Sequence, residues 1–165
     1  MRSLPMLFAP LALFAGAGGG CVTPPRTPAP AAPASAVDAM AATVDAPGGS
    51  EQVVRAFIAA YNRHAVPDLL ALADTGIVWL SVEGDSVRVE ARGRAALEQS
   101  LTGYFRQVPS TRSDVESLSA LGPWVSVRER ARWQGANGPR TQAALSVYEV
   151  RDGLVRRVWY YPAVR

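Results

Sequence analysis

Lysine is absent from the 165 residues: all 17 basic side chains are arginine. Cysteine and histidine occur once each. A single Cys excludes a disulfide framework and a thiolate zinc site. One His among scattered carboxylates leaves no converging ligand set, so neither a metal nor a cofactor is expected. Long apolar runs are missing too. A spanning helix needs ~20 apolar residues, whereas Pro5, Pro10 and Gly18-Gly19-Gly20 interrupt the one apolar stretch near the start. Aromatics are scarce at one end only. All four Trp and all five Tyr follow residue 50, while eight of the 13 Pro and six of the 14 Gly fall in the first 49 residues. The remaining 116 residues suffice for one core, too few for a multidomain enzyme or a large dinucleotide-binding fold. The net charge is +3, with Arg clusters at Arg88/Arg92/Arg94, Arg128/Arg130/Arg132 and Arg156/Arg157. A nucleic-acid footprint needs such clusters on one face with interleaved aromatics. Here they read as solvated strand faces, and no nucleic-acid partner is expected.

Residues 1–21 have the anatomy of a secretory signal: Arg2, an apolar segment from Leu4 to Phe14, then small residues Ala15 to Gly20. Cys21 closes that segment, which resembles a bacterial lipoprotein signal whose Cys thiol is acylated. Gly20 fits the resemblance, and Gly18 departs from the usual aliphatic residue. Ordinary cleavage after Ala15-Gly16-Ala17, leaving a free thiol, is the alternative. Val22 rather than Asp after the Cys implies, by the same resemblance, an outer-membrane anchor facing the periplasm in a Gram-negative host. Residues 22–49 are a Pro/Ala-rich linker with no periodic apolar face, a composition that cannot offset its ordering entropy. These 28 residues would reach roughly 30 Å as a coil, holding the domain off the bilayer.

The domain, residues 50–165, begins with Ser50 as a helix cap and an apolar stripe Val53, Val54, Phe57, Ile58 and Tyr61 at helical spacing. Pro67 opens a short second helix ending near Ala73. Strands are expected over 77–82 and 87–91. A third helix follows Gly93, carrying Ala96, Leu97, Leu101, Tyr104 and Phe105 on one side. Strand-like runs at 115–121, 124–134, 141–151 and 154–161 are separated by turn residues, Asp152-Gly153 being the strongest hairpin signal. Helix, helix, two strands, helix and an antiparallel meander make an α+β domain.

The segments VVRAFIAAYNRHAVPDLLALAD, GRAALEQSLTGYF, WVSVRERARW and YEVRDGLVRRVWYY, in this order, resemble the SnoaL-like branch of the nuclear transport factor 2-like superfamily. The resemblance implies a cone-shaped barrel of cystatin-like topology: a curved antiparallel sheet wrapped around three N-terminal helices and enclosing a pocket. The family includes cyclases, isomerases, dehydratases and non-catalytic members, so fold does not settle function. In its steroid-isomerase branch a first-helix Tyr and a first-strand Asp act. The matching positions here are Phe57 and Leu80 or Ser81, which lack that chemistry. The cyclase branch uses an Asp, and Glu129 is the nearest carboxylate.

Along 124–133, one face carries Val125, Val127, Glu129, Ala131 and Trp133, and the other is Arg-rich. Facing inward, Glu129 would lie among apolar neighbours that raise its pKa and fit it for general acid–base work. The alternative is an ion pair with a neighbouring Arg. Glu149 is a second candidate, with both faces of 141–151 open to being the interior. His64 falls where a cation complements a helix terminus, and a structural role is expected for it. Trp79, Tyr104, Trp133, Tyr148 and Tyr161 are the candidate ligand-pocket rings, suited to a small apolar or aromatic ligand. Three readings stand: a lipid-anchored, non-catalytic module binding a small ligand or an envelope partner; a pocket enzyme of isomerase, cyclase or dehydratase type using Glu129; and a structural homodimer.

Overall fold

The computed structural model describes residues 49–162. The expected signal segment, the Cys21 acylation site and nearly all of the linker lie outside the described residues. Helix α1 spans Gly49–Asn62 and buries Val53, Val54, Phe57 and Ile58 of the expected stripe together with Ala60, while Tyr61 is half-buried. Ser50 lies inside this helix and not at its cap. Helix α2, Val66–Ala71, has Pro67 in its first turn. It stops two residues short of the expected end because Ala73 already pairs with Val155 in the sheet. Helix α3, Arg94–Gln107, buries Leu97, Leu101 and Phe105 at four-residue spacing. The chain enters it through Gly93, whose φ of 81° is accessible to Gly at little cost. No helix among the described residues is long and apolar enough to cross a membrane.

The strands are β1 Ala73–Glu83, β2 Ser86–Arg92, β3 Arg112–Leu121, β4 Trp124–Gly135, β5 Gly138–Arg151 and β6 Leu154–Pro162. They form one sheet in the order β2-β1-β6-β5-β4-β3. All neighbours are antiparallel except β1 and β6. Arg151 pairs with Leu154 across Asp152-Gly153, both at positive φ, the primed hairpin that an Asp-Gly pair favours. Register shifts interrupt four of the five pairings. Such bulges bend a sheet and tighten its twist, and this sheet curves around the helices. The core joins α1, α2 and α3 to the inward residues Ile77, Trp79, Val125, Val127, Tyr148 and Val158.

Candidate functional site

Strand β4 alternates as its sequence dictates: Val125, Val127 and Glu129 are buried, while Ser126 and Arg128 between them are exposed. Glu129 thus faces the interior, with 6 % of its surface exposed. Its inward diagonal neighbours are both serines. Ser113 on β3 pairs with Ala131, two residues beyond Glu129, and Ser146 on β5 pairs with Val127, two residues before it. Each hydroxyl donates to one carboxylate oxygen. Ser113 is itself fixed by Asn62 at the end of α1. The Asn62 amide donates to the Ser113 carbonyl at 2.8 Å and accepts from its N–H at 2.7 Å.

Glu129 and Ser113 stand on the wall of a cavity of about 30 Å³, with Ala131 and Ile58 beside them. The other wall is aromatic: Phe57, Tyr61, Trp79, Tyr148 and Tyr160. The space admits one or two waters or a ligand of a few heavy atoms. Burial raises the Glu129 pKa above the ordinary carboxylate range, and the two serine hydrogen bonds oppose that shift in part. Tyr61, Tyr148 and Tyr160 are all raised, first by burial and further by the carboxylate they surround. Among the described residues, no Arg or His forms an ion pair with Glu129.

The candidate rings separate. Trp79 and Tyr148 line the cavity with Glu129. Tyr104 sits behind it: its hydroxyl meets Thr111 Oγ1 at 3.1 Å, and the same oxygen lies 3.3 Å from the Tyr61 hydroxyl. Trp133 lies elsewhere, in a surface groove with Arg130, Arg132 and Arg140. Tyr161 is directed outward, opposite Leu145, and is 37 % exposed. Tyr160, opposite Ser146, takes the inward place. Phe57 also lines the cavity, while Leu80 is half-buried and Ser81 donates to Glu90.

Glu149 is buried but points away from the cavity. Ala144, Ser146, Tyr148 and Val150 hold the inner face of β5, and Glu149 accepts from Arg151 at 3.2 Å and Arg157 at 3.1 Å on the outer one. His64 adopts a φ of 56° just beyond α1, stacks on Phe105 at 4.1 Å and donates through Nε2 to the Thr111 carbonyl at 3.1 Å. Its partners are a ring and a carbonyl of the scaffold, a structural role. The Arg128/Arg130/Arg132 cluster faces acids of β3: Glu116 takes Arg128 and Arg130, and Asp114 takes Arg132. Glu116 sits at the register shift of β3, where the extra residue brings its carboxylate between two Arg side chains. Among the described residues, no three His, Cys, Asp or Glu side chains gather into a metal site.

A six-stranded cone closed by helices, with one acid on its inner wall, is matched by a family model. Residues 54–158 fit the SnoaL-like domain. The chain belongs to the SnoaL-like family. Solved structures show the same nuclear transport factor 2-like fold. An uncharacterised cystatin-fold protein from Novosphingobium aromaticivorans superposes with a TM-score of 0.60 at 18 % identity, covering 70 % of this chain and 97 % of that one. A putative ketosteroid isomerase from Kribbella flavida gives 0.56 at 20 % identity, covering 70 % and 78 %. A protein from Catenulispora acidiphila with a ketosteroid isomerase-like fold, in complex with trimethylamine, gives 0.58 at 14 % identity, covering 66 % and 83 %. A search of the curated proteins finds no match.

Proposed function

We propose that this SnoaL-like domain binds a small molecule in its cone, with Glu129 as the polar contact and the surrounding rings as the apolar one. The observation that carries this reading is a buried carboxylate on the wall of an aromatic cavity, held by neutral hydroxyls instead of an ion pair. The trimethylamine in the Catenulispora acidiphila protein supports a ligand of this size in such a fold. A drug-sized ligand needs a pocket of ~300 Å³ or more, so the ligand is small or the cone opens to admit it. The protein is exported and held at the cell envelope through an acylated Cys21, with residues 22–49 as the spacer.

The test is a thermal-shift screen of small polar and apolar compounds, paired with native mass spectrometry for co-purifying molecules. Ala131→Leu adds three carbons to the cavity wall and should abolish every stabilisation that the unaltered protein shows. An empty protein that no compound stabilises would overturn the binding reading. Intact mass tests the anchor: a chain starting at Cys21 with added acyl mass is expected, and one starting at Gly18 without it refutes the anchor.

Burial of Glu129 favours a second reading, a pocket enzyme in which this carboxyl moves a proton while Tyr hydroxyls hold the substrate. Glu129→Gln would then abolish turnover while leaving binding of neutral ligands intact. The outer face supplies an independent observation. Trp124 stacks obliquely on Trp159 at 5.6 Å, and Leu145 and Tyr161 lie exposed on the same face, a surface suited to a second copy of the chain. Sedimentation equilibrium reads that directly.

A further inference from the structure

The cavity has a charge problem that two hydroxyls do not solve. An ionised carboxylate removed from water needs a counter-charge or a proton. Glu129 has neutral donors on both sides, and among the described residues no cationic side chain is paired with it. What faces it across the cavity is a set of rings: Phe57, Tyr61, Trp79, Tyr148 and Tyr160. Rings attract cations over their faces, Trp and Tyr most strongly. A cavity with one buried acidic group, several aromatic rings in its lining and room for a few heavy atoms is suited to a compact organic cation. An anion would meet the carboxylate, and among the described residues no cationic side chain is paired with Glu129 to offset that repulsion.

Resting on the ligand-binding reading above, we propose that the Glu129 cavity selects compact alkylammonium cations over neutral or anionic molecules of the same shape. The ammonium head supplies the counter-charge, its alkyl groups cover the rings, and Ser113 and Ser146 hold both carboxylate oxygens toward the bound charge. Binding is coupled to ionisation of Glu129: burial favours the protonated carboxyl in the empty cavity, and the entering cation shifts that balance toward the carboxylate, the proton passing to solvent. The titratable groups around it are Tyr61 from α1, Tyr148 from β5 and Tyr160 from β6, with Tyr104 of α3 acting on Tyr61 and Tyr160. Burial raises Tyr61, Tyr148 and Tyr160 and so keeps them neutral, leaving Glu129 to meet the cation's charge.

The experiment compares trimethylammonium, tert-butanol and pivalate, a cation, a neutral molecule and an anion of similar outline, by proton NMR titration of the full chain. Trimethylammonium should bind at least ~10-fold more tightly than tert-butanol, with its methyl protons shifted upfield by the rings, and pivalate should not bind. Glu129→Gln should erase the cation preference and keep tert-butanol. Tyr160→Leu, which keeps the acid and removes a ring, should weaken the cation more than the alcohol, and it serves if the Gln variant does not fold. Ala131→Leu should abolish the binding of both. Equal affinity for the cation and the alcohol overturns the charge selection and leaves the binding reading intact. Binding to none of the three overturns the selection, and the broader screen then decides the binding reading separately.

Discussion

Replacing Ser146 by Ala removes one oxygen from a fully buried site and nothing else. That hydroxyl donates to Glu129, and no part of Ser146 reaches solvent. The carboxylate oxygen left behind would face a methyl group. A hydrogen bond to a charged group contributes about 1.5–3 kcal/mol, and the atom deleted is too small to add much of a cavity term. The expected loss is therefore about 2 kcal/mol in a urea titration followed by tryptophan fluorescence. With a slope of roughly 2 kcal/mol per M for a domain of this size, the midpoint falls by about 1 M. The loss should be larger where Glu129 is ionised, because the serine hydrogen bonds oppose the rise in its pKa. A double-mutant cycle isolates the pair. In a Glu129→Met background Ser146→Ala should cost markedly less, the remainder coming from the Ser146 hydrogen bond with the Tyr148 side chain. Equal losses in both backgrounds would refute the idea that Ser146 acts through Glu129.

Glu129→Gln should change how stability depends on pH. A carboxyl whose folded pKa is raised contributes stability that is complete below the ordinary carboxyl value and is lost as pH rises through the folded one. Gln does not titrate, so melting followed upward in pH from the ordinary carboxyl range should show the variant gaining on the unaltered protein; a constant gap contradicts the shift. Tyr61, Tyr148 and Tyr160 are raised as well, so their ionisation above about pH 10 should coincide with unfolding in difference absorbance, and titration of all five Tyr residues in the folded state would refute their burial. Phe57→Ala removes a 1 %-exposed ring that meets Trp79 and Tyr148 at centroid distances of 6.3 and 6.1 Å. Its expected cost is about 3–5 kcal/mol by chemical denaturation. Trp133→Ala should leave ligand-induced stabilisation unchanged, because that ring lies in the surface groove.

The inward place of Glu129 was legible in its sequence because β4 alternates without interruption from Trp124 to Ala131. Period two then leaves only one face for it. Glu149 and Tyr161 were not legible for the converse reason. The β5–β6 pairing shifts between Glu149 and Val150, and β6 buries both Val155 and Val158, a spacing of three. Simple alternation therefore loses the parity that sets Tyr160 inward and Tyr161 outward. Ser113 and Ser146 carry no signal in isolation, since a strand serine becomes a carboxylate donor only once the register brings it diagonal to the acid. The reciprocal clamp from Asn62 joins residues 51 positions apart, which no local pattern encodes. The antiparallel meander followed from turn residues at regular intervals, whereas the parallel pairing of β1 with β6 depends on tertiary closure.

Carbon-detected NMR of the Glu129 side-chain carboxyl, titrated in the absence and presence of a stabilising ligand, tests the central claim most directly. An acid on the wall of the ligand cavity should show a midpoint above the ordinary carboxyl range when the protein is empty, and that midpoint should move when the ligand binds. An ordinary midpoint, or a raised one that no stabilising ligand moves, would contradict it.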